Sequence, residues 1–368
     1  MTTSSTVTHV PLPRLFAFAR DALCAAGLAR EPAETVARGL VEADARALAS
    51  HGVVRLLPVY IRRLRKGSTN PAPSVRTVHR HGAAALLDGD GGPGQVVGAH
   101  AMDLAIEIAH THGAGVVGVR NSSHYGMGAL YVEQATRRDM VGIALSNAPS
   151  NMPPAGGRSR FFGTNPLTIG LPGDDDAPVV LDMSTSVVAR GKISMAHKEG
   201  RTIPQGWAID AEGNPTEDPE AALLGAVLPM AGYKGAGLAL MIDALCGVLT
   251  GAAYEQHIVD LYDERELHQN VGHFFIAIPV ENFMPIEHYR ERMRRFAADV
   301  RAQPRQPGVD RIYLPGEIER EAASRTAQSG VVIGDAGLRE LDEIANALKI
   351  QPLGERLVDR EALLHPDA

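Results

Sequence analysis

The chain of 368 residues is poor in cysteine and in aromatic residues, and it carries no surplus of positive charge. Its two cysteines, Cys24 and Cys246, lack the paired spacing of metal or redox motifs, so we expect reduced thiols, no metal site and a cytoplasmic protein. The 36 Lys and Arg residues against 43 Asp and Glu residues give a net charge of -7, which disfavours nucleic acid as a partner.

Long apolar runs are also missing from the sequence. The most apolar segment, residues 235–253, contains Asp243 and several glycines, whereas a membrane-spanning helix needs about 20 predominantly apolar residues. This segment therefore predicts a buried core helix, and we expect no membrane contact. The polar residues 1–8 lack the apolar stretch of a signal peptide.

The pattern of apolar residues differs between the first 70 residues and the rest of the chain. At roughly 100–200 residues per domain, the length predicts two domains. Apolar residues at helical spacing predict helices over residues 12–26 and 32–50 and a third helix that Pro58 starts or bends and that ends at Gly67; together they form an all-helical cap. Beyond Asn70, strand and helix patterns alternate, which predicts α/β layering. The expected strands cover residues 83–87, 115–119, 141–145, 167–171 and 179–181, and the expected helices cover 95–110, 131–138, 286–300 and 338–348.

A glycine-rich turn over residues 89–94 matches the G-x-G-x-x-G spacing of a dinucleotide fingerprint. That fingerprint also needs an acidic residue at the end of the next strand, where this chain has Val119-Arg120-Asn121. A phosphate-binding loop and an ordinary turn both remain open. Three further segments place small residues before a helix, where free amide hydrogens suit a pyrophosphate or an ordinary cap: residues 121–128, 182–186 and 232–237.

Two histidines, His51 and His124, are candidates for acid–base chemistry because histidine exchanges a proton near neutral pH. His124 follows a strand at the edge where open α/β sheets bind ligands. If a helix continues across Gly52, His51 and Arg55 project from one face, and Arg55 can bind a carboxylate. The alternatives are a helix end with a surface arginine and a histidine that only satisfies a turn. Hydrolysis is disfavoured because there is no G-x-S-x-G motif and because Ser50 and His51, as helical neighbours, should splay apart.

Six strings occur in an order that resembles the type-2 malate/L-lactate dehydrogenase family, which also holds ureidoglycolate and sulfolactate dehydrogenases and reductases of cyclic imino acids. They lie between residues 50 and 278, so the resemblance covers much of the chain. The strings are Ser50-His51-Gly52, Asn121-Ser122-Ser123-His124-Tyr125-Gly126, Gly163-Thr164-Asn165-Pro166-Leu167, residues 182–192, residues 234–240 and residues 271–278.

The resemblance implies a nicotinamide-dependent oxidoreductase, using NAD or NADP, that forms homodimers and whose α/β fold is not the Rossmann fold. It implies a helical lobe over residues 1–70, joined by late helices from about 286–350, and an α/β lobe over residues 71–285 that binds cofactor and substrate. Matched by motif, Arg55 and Thr164 would bind the substrate. The cofactor contacts would be His124, Tyr125, Gly126, Met127, Gly128, Asp182, Met183, Ser184 and Lys234.

The resemblance leaves the catalytic proton carrier open. It assigns this role to His124 in the hydroxy-acid enzymes and to His51, with Ser50 beside it, in the imino-acid reductases. Those reductases also use a carboxylate where this chain has Met195 or Ala196, so an imine-type relay is disfavoured here.

The leading hypothesis is hydride transfer between nicotinamide and C2 of a small 2-hydroxy or 2-oxo acid of the malate or lactate kind. The alternatives are a reductase of cyclic imino acids, such as pyrroline- or piperideine-2-carboxylate, and a non-catalytic dinucleotide sensor. NAD and NADP are not separated, because the arginine that would bind a 2′-phosphate can be Arg120, Arg158 or Arg160.

Overall fold

The computed structural model describes residues 7–174 and 177–358, which form two compact units. In chain order the strands are β1 (Val7–Val10), β2 (Arg76–His81), β3 (Ala84–Asp88), β4 (Gly115–Ser122), β5 (Met140–Ser146), β6 (Leu167–Asp174), β7 (Ala177–Met183), β8 (Ala208–Ile209), β9 (Pro215–Thr216), β10 (Ala226–Val227), β11 (Val271–Pro279) and β12 (Val331–Gly334). The α-helices are α1 (Leu12–Ala25), α2 (Arg30–Ala45), α3 (Val53–Arg65), α4 (Gly94–His112), α5 (Ala129–Thr136), α6 (Arg190–Lys198), α7 (Pro219–Leu224), α8 (Tyr233–Asp243), α9 (Ile286–Arg301), α10 (Glu317–Ser329), α11 (Asp335–Leu348) and α12 (Leu353–Val358).

The smaller unit comprises residues 7–73, 264–266 and 317–358. Helices α1, α2 and α3 pack on one another, and α10, α11 and α12 pack against this group. The apolar stripes of the first three helices supply buried side chains to its core, including Leu15, Phe18, Leu23, Leu40 and Leu57. The short strands β1 and β12 pair in antiparallel fashion. The sequence did not predict this pairing, because four-residue strands carry too little periodicity.

The second and third helices differ from their predicted bounds. Helix α2 ends at Ala45, because Ala47 adopts a left-handed conformation and a separate 3-10 turn, Ala49–His51, follows. Helix α3 starts before Pro58, which lies in its interior. The start is set by Val53, whose N–H donates to the carboxylate of Asp44 at 2.7 Å.

The larger unit comprises residues 74–174, 177–263 and 267–316. Its main sheet has seven strands in the order β2-β3-β4-β11-β5-β6-β7. Strands β3 and β4 are parallel, and every other neighbouring pair in this sheet is antiparallel. Helix α4 packs on β4 and β11, and α5 packs on β5 and β6. The fold is therefore mixed α/β, which confirms the predicted class.

Two elements of the larger unit differ from the expectation. Strand β11, which lies between β4 and β5 in the sheet, was not among the expected strands. Helix α9 packs on β6 and belongs to this unit, whereas the late helices joined to the helical lobe were expected to begin at about residue 286. Of the late helices, those that belong to the smaller unit begin with α10.

The apolar segment 235–253 is not a buried core helix, so that prediction is wrong. Helix α8 continues as a π-helical turn over Ala244–Val248, and only one face of this helical segment is buried. The exposed apolar side chains of this segment are Leu238, Leu240, Met241, Val248 and Leu249. Apart from the buried Asp243, both the exposed and the buried sides of this helical segment are largely apolar, and the sheet covers one side. None of the helices in the described part of the chain has the length and apolarity that crossing a membrane requires.

A second apolar cluster of the larger unit lies around the small sheet β10-β8-β9 and helices α6 and α7. Met152, Phe162 and Ile193 are buried in it. Trp207, the one tryptophan of the chain, and Leu223 pack against the same cluster.

Candidate active site

Ser50 and His51 lie in the 3-10 turn of the smaller unit, just before α3. Ser50 Oγ and His51 Nδ1 are 3.0 Å apart and form a hydrogen bond. The expectation that these neighbours splay apart is therefore wrong, because it assumed α-helical geometry at a place where the chain forms a tighter turn. The serine hydroxyl orients the imidazole ring.

Gly52 separates His51 from α3, because its backbone is extended rather than helical. The continuous helix that would place His51 and Arg55 on one face does not form, although Arg55 is exposed in the first turn of α3. Asp44 holds this junction through its bond to Val53, and a Cβ at residue 52 would overlap the Asp44 carboxylate. Burial raises the pKa of Asp44 to about 6. Gly52 is thus required by a close side-chain approach.

The loop from His124 to Gly128 belongs to the larger unit and connects β4 to α5. The N–H of His124 donates to Oε1 of Gln269 at 3.1 Å, and the N–H of Gly126 donates to Nδ1 of His124 at 3.4 Å. Gly126 has a φ of 76°, a conformation that favours glycine. Since Nδ1 accepts this bond, the neutral ring carries its proton on Nε2. The loop geometry suits proton exchange through Nε2.

The glycine-rich turn 89–94 has its amide hydrogens bonded within the chain, so the phosphate-loop interpretation is wrong and the turn interpretation is right. The N–H groups of Gly89, Gly91 and Gly92 donate to the carbonyls of Arg120, Asn121 and Gly89 in that order. The N–H of Asp90 donates to the carboxylate of Asp88, and the N–H of Gly94 donates to Ser123 Oγ. A phosphate cradle needs unoccupied N–H groups. The turn instead supports the loop that carries His124, because Ser123 Oγ also donates to the Gly92 carbonyl at 2.8 Å.

His273 on β11 is fully buried and stacks on Tyr125 of the His124–Gly128 loop, with ring centroids 4.8 Å apart. Its Nδ1 and Nε2 each lie 2.9 Å from a hydroxyl oxygen, those of Ser146 and Ser122 respectively. Ser146 Oγ also donates to the Asn147 carbonyl at 2.9 Å, and Ser122 Oγ also lies 3.5 Å from the Ser123 carbonyl. Burial lowers the pKa of His273 to about 3, and the ring is neutral.

Asp182, at the end of β7, anchors the other end of this loop. Its carboxylate accepts the N–H of Ala129 at 2.9 Å and the hydroxyl of Thr168 at 2.8 Å. Ala129 is the first residue of α5, so the carboxylate caps the helix that follows the loop. A Cβ at Gly128 would overlap the Thr168 hydroxyl, which explains the glycine.

A run of backbone contacts joins the remaining expected segments of the larger unit. The carbonyl of Thr164 accepts both the N–H of Thr185 at 2.9 Å and its hydroxyl at 3.0 Å. The carbonyl of Thr185 accepts the N–H of Met230 at 2.9 Å, and the Met230 carbonyl accepts the N–H of Gly235 at 3.0 Å. Lys234 is exposed at the start of α8 within this turn. Ser184 Oγ forms a 3.0 Å hydrogen bond with Ser186 Oγ.

The structure thus connects four expected segments of the larger unit: the His124–Gly128 loop, the Asp182–Ser184 turn, Thr164 and Lys234. Ser50, His51 and Arg55 lie in the smaller unit. Sequence reasoning missed His273, Gln269 and the two serines that bind His273. The available signal was a histidine within the apolar string 271–278, which a buried strand tolerates only when both ring nitrogens are bonded.

The chain matches the family model for malate/L-lactate dehydrogenase over residues 10–342. The chain belongs to this family. The resemblance found in the sequence is confirmed, and this malate/L-lactate dehydrogenase family member is an enzyme, an oxidoreductase of the dehydrogenase type.

Relatives of this family member carry several substrate names. It is 38% identical over 353 residues to malate dehydrogenase of Pyrococcus horikoshii, a match that covers 94% of this chain and 97% of the relative. Ureidoglycolate dehydrogenase (NAD(+)) of Escherichia coli K12 is 38% identical, with 85% and 89% covered. The (2R)-3-sulfolactate dehydrogenase (NADP(+)) of Chromohalobacter salexigens is 36% identical, with 87% and 93% covered.

Solved structures agree with this assignment to the malate/L-lactate dehydrogenase family. The P. horikoshii malate dehydrogenase structure superposes with a TM-score of 0.86 at 36% identity, covering 94% of this chain and 97% of that one. The delta1-piperideine-2-carboxylate reductase of Pseudomonas syringae superposes with a TM-score of 0.80 at 28% identity, covering 92% and 100%. The family membership implies a nicotinamide cofactor, with NAD(+) and NADP(+) both named among the relatives.

Proposed function

We propose that the protein catalyses reversible hydride transfer between a nicotinamide cofactor and C2 of a small 2-hydroxy or 2-oxo acid. The observation that carries this proposal is the connected site of the larger unit, in a chain whose relatives are named as dehydrogenases of malate, ureidoglycolate and sulfolactate. In that site, a loop histidine, a capped helix start and an exposed lysine are joined by hydrogen bonds.

The donor set of the site fits a dinucleotide. Lys234 supplies an exposed cation for a pyrophosphate, and the Asp182–Ser184 turn and the His124–Gly128 loop supply hydroxyl and amide groups. When bound, NAD or NADP supplies the hydride donor or acceptor. We infer that this binding does not use a Rossmann fold, because the main sheet contains one parallel pair and the turn 89–94 has no amide left for phosphate.

The chain's own residues position the acid and move the proton. Arg55 binds the substrate carboxylate through its guanidinium fork, and Thr164 contacts the substrate. His124 holds the proton on Nε2 and gives it to the oxygen at C2 during reduction. His51, oriented by Ser50, is the other candidate for this proton transfer. Positioning of this kind can lower a barrier by about 7–11 kcal/mol.

We also propose that the protein is a homodimer. The exposed side chains Leu238, Met241, Val248 and Leu249 lie on the exposed side of α8 and the π-helical turn and form an apolar stripe. A stripe of this kind on a soluble enzyme marks a protein contact, and a second copy offers the same stripe in a two-fold arrangement. Both cysteines are free, which fits the cytoplasmic location that we propose for this dimer.

The test is a panel of 2-oxo acids and cyclic imines assayed with NADH and NADPH. For the preferred acid, we expect His124→Asn to lower kcat by about 10²–10⁴-fold with a small change in KM, because it removes the proton donor. If His51 is the donor, His51→Asn shows this loss instead. His110→Asn, at the exposed end of α4, is the matched control and should retain wild-type kinetics.

Substrate recognition is tested in the same panel. We expect Arg55→Ala to lower kcat/KM for the acid by at least about 10²-fold and to change kcat/KM for its uncharged amide much less, because only the acid uses the guanidinium. Wild-type kinetics in the His124, His51 and Arg55 variants would contradict the site assignment. Turnover of imines alone would indicate the imino-acid reductase, and cofactor binding without turnover of any compound would indicate the sensor.

A further inference from the structure

Two arginines of the larger unit converge on one carbonyl group. Arg160 donates from Nε to the carbonyl of Gly225 at 2.6 Å and from Nη2 to the carbonyl of Leu223. Arg190 donates from its own Nη2 to the same Leu223 carbonyl at 3.3 Å. The two guanidinium groups therefore share one acceptor, although their residues are 30 positions apart in the sequence.

Neither guanidinium has a carboxylate partner within ion-pair distance among the described residues. Asp260 favours the charged form of Arg160 from farther away, but burial and the charge of Arg190 act in the opposite direction and lower the pKa of Arg160. Two neighbouring cations without an acid cost free energy. In a chain with a net charge of -7, such a pair stands out as a place where an anion is favoured.

The backbone at Arg190 adds further donors to this place. Arg190 is the first residue of α6, and the cap residue Ala189 provides no side-chain acceptor. Within the described residues, the N–H groups of Arg190 and Gly191 have no backbone acceptor outside or inside the helix, as expected for a first turn. A Cβ at Gly191 would meet no atom within 4 Å, so the surroundings are open to a ligand.

Internal hydrogen bonds hold the Arg160 side chain in place without a ligand. Arg160 is half-buried and held by two carbonyls at the C-terminal end of α7, those of Leu223 and Gly225, so its guanidinium is already ordered. Ordering in advance reduces the entropy that binding would otherwise cost. The carbonyls occupy Nε and one N–H of Nη2 on Arg160 and one N–H of Nη2 on Arg190. The remaining N–H groups of the two guanidinium groups match the oxygens of a dianionic phosphate group.

We propose that Arg160 and Arg190 form a binding site for a dianionic phosphate group. The phosphate can belong to the 2′-position of NADP, which would make the pair a determinant of cofactor choice, or it can be free inorganic phosphate. The first source rests on the proposed function, and the second does not. Of the three arginines considered from the sequence, Arg120 is paired with Asp88 and Arg158 is exposed and donates to the Glu212 carbonyl, so Arg160 is the one retained.

Direct binding to the full chain is the first test. Inorganic phosphate, 2′-AMP and 5′-AMP are titrated while the fluorescence of Trp207 is followed, since Trp207 and Leu223 pack on the same cluster. We expect Arg190→Gln to weaken phosphate binding at least tenfold, because Arg190 contributes one fork and makes only one long internal bond. Arg190→Lys, which keeps the charge but loses the fork, should give an intermediate affinity.

Arg201→Gln is the matched control, because it removes one positive charge just beyond α6 from a residue already paired with Glu199. It should bind phosphate as the wild type does. Arg160→Gln is a weaker test, because losing its two carbonyl bonds can disturb the C-terminal end of α7, so thermal stability is measured beside it. Equal phosphate affinity in wild type and Arg190→Gln, or no affinity in the wild type for phosphate or 2′-AMP, overturns the proposal.

The source of the phosphate is decided by comparing ligands. If it is the cofactor, wild type binds 2′-AMP at least tenfold more tightly than 5′-AMP, and Arg190→Gln lowers the ratio of kcat/KM for NADPH to that for NADH at least tenfold. If it is free phosphate, the two nucleotides bind alike and the ratio does not change. The titrations do not depend on turnover, so an inactive protein would contradict the proposed function and leave the phosphate site testable.

Discussion

At the scale of single residues, the most informative side chain is His273. It is a buried titratable group whose two ring nitrogens are satisfied by hydroxyls from neighbouring strands, Ser122 at the end of β4 and Ser146 at the end of β5. The buried ring is neutral because burial opposes its charged form, and this outweighs the backbone hydrogen bond at Ser123 that favours it. Because Tyr125 lies in the loop that carries His124, its stacking on His273 helps to fix the position of that loop.

This environment predicts a pH-dependent stability. The folded pKa of His273, about 3, lies below the ordinary value of 6.5, so the unfolded chain binds the proton more readily. The contribution is present above pH 6.5 and is lost as the pH falls toward 3. Between pH 6.5 and 4.5 we expect the free energy of unfolding of wild type to fall by about 2 kcal/mol relative to that of His273→Gln.

Chemical denaturation at several pH values measures this difference, with His110→Gln, an exposed histidine of α4, as the control. Asp44 acts with the opposite sign, because its folded pKa of about 6 is above its ordinary 3.8 and stability is lost as the pH rises through that range. The pH dependence of the free energy of unfolding is therefore compared between wild type and each variant, because the slope for a single protein combines both groups. Parallel curves for wild type and His273→Gln would show that His273 is not held neutral.

At the scale of elements, the glycine-rich turn before α4 and the loop after β4 behave as one unit. Gly94 begins α4, and a Cβ there would overlap the backbone carbonyl oxygens of Ser123 and His124. The glycines in this turn therefore serve close backbone packing, although their spacing looks like a nucleotide fingerprint. The loop that carries His124 is positioned by backbone atoms that cannot yield without a shift of the chain.

Gly94→Ala is accordingly expected to destabilise the protein by about 1–3 kcal/mol and to lower kcat, because the loop must move away from the new methyl group. Thermal unfolding and steady-state kinetics measure the two effects. Gly191→Ala is the stability control, since its methyl would meet no atom within 4 Å on α6 and alanine favours a helix. A Gly94→Ala protein as stable and active as wild type would show that the turn is loosely packed.

At the scale of the whole molecule, the main expectation concerns assembly. Met241 is 57% exposed and Leu249 66% exposed on the same stripe, although both lie in the most apolar segment of the chain. Covering such side chains with a second copy removes apolar area from water, at about 25 cal/mol per Å². We expect light scattering to give a mass of about twice 39.2 kDa for the purified protein.

Met241→Glu and Leu249→Glu should shift this mass toward that of one chain, because each places a charge in the shared stripe. Phe296→Glu on α9 is the control, since that side chain is also exposed and apolar but lies outside the stripe. A wild-type mass of 39.2 kDa at micromolar concentration would contradict the dimer.

The sequence by itself determined what depends on local spacing and on short strings. The helices α1, α4, α5, α9 and α11, the strands β3 to β7 and the family all followed from it, because periodicity and motif residues lie close together along the chain. The sequence also predicted the His124 loop and the Asp182 turn as two separate functional segments. It did not show that the Asp182 carboxylate caps the helix that follows the His124 loop.

Only the tertiary structure decided features that depend on contacts between distant residues. The central place of β11, the neutral state of His273 and the overlap of Gly94 with the His124 loop each involve partners far apart in the sequence. The exposed stripe of α8 is of the same kind, since an all-apolar helix does not reveal which face the sheet will cover. Hydrogen bonding and burial depend on which residues meet in the tertiary structure, and local periodicity does not tell which distant residues these are.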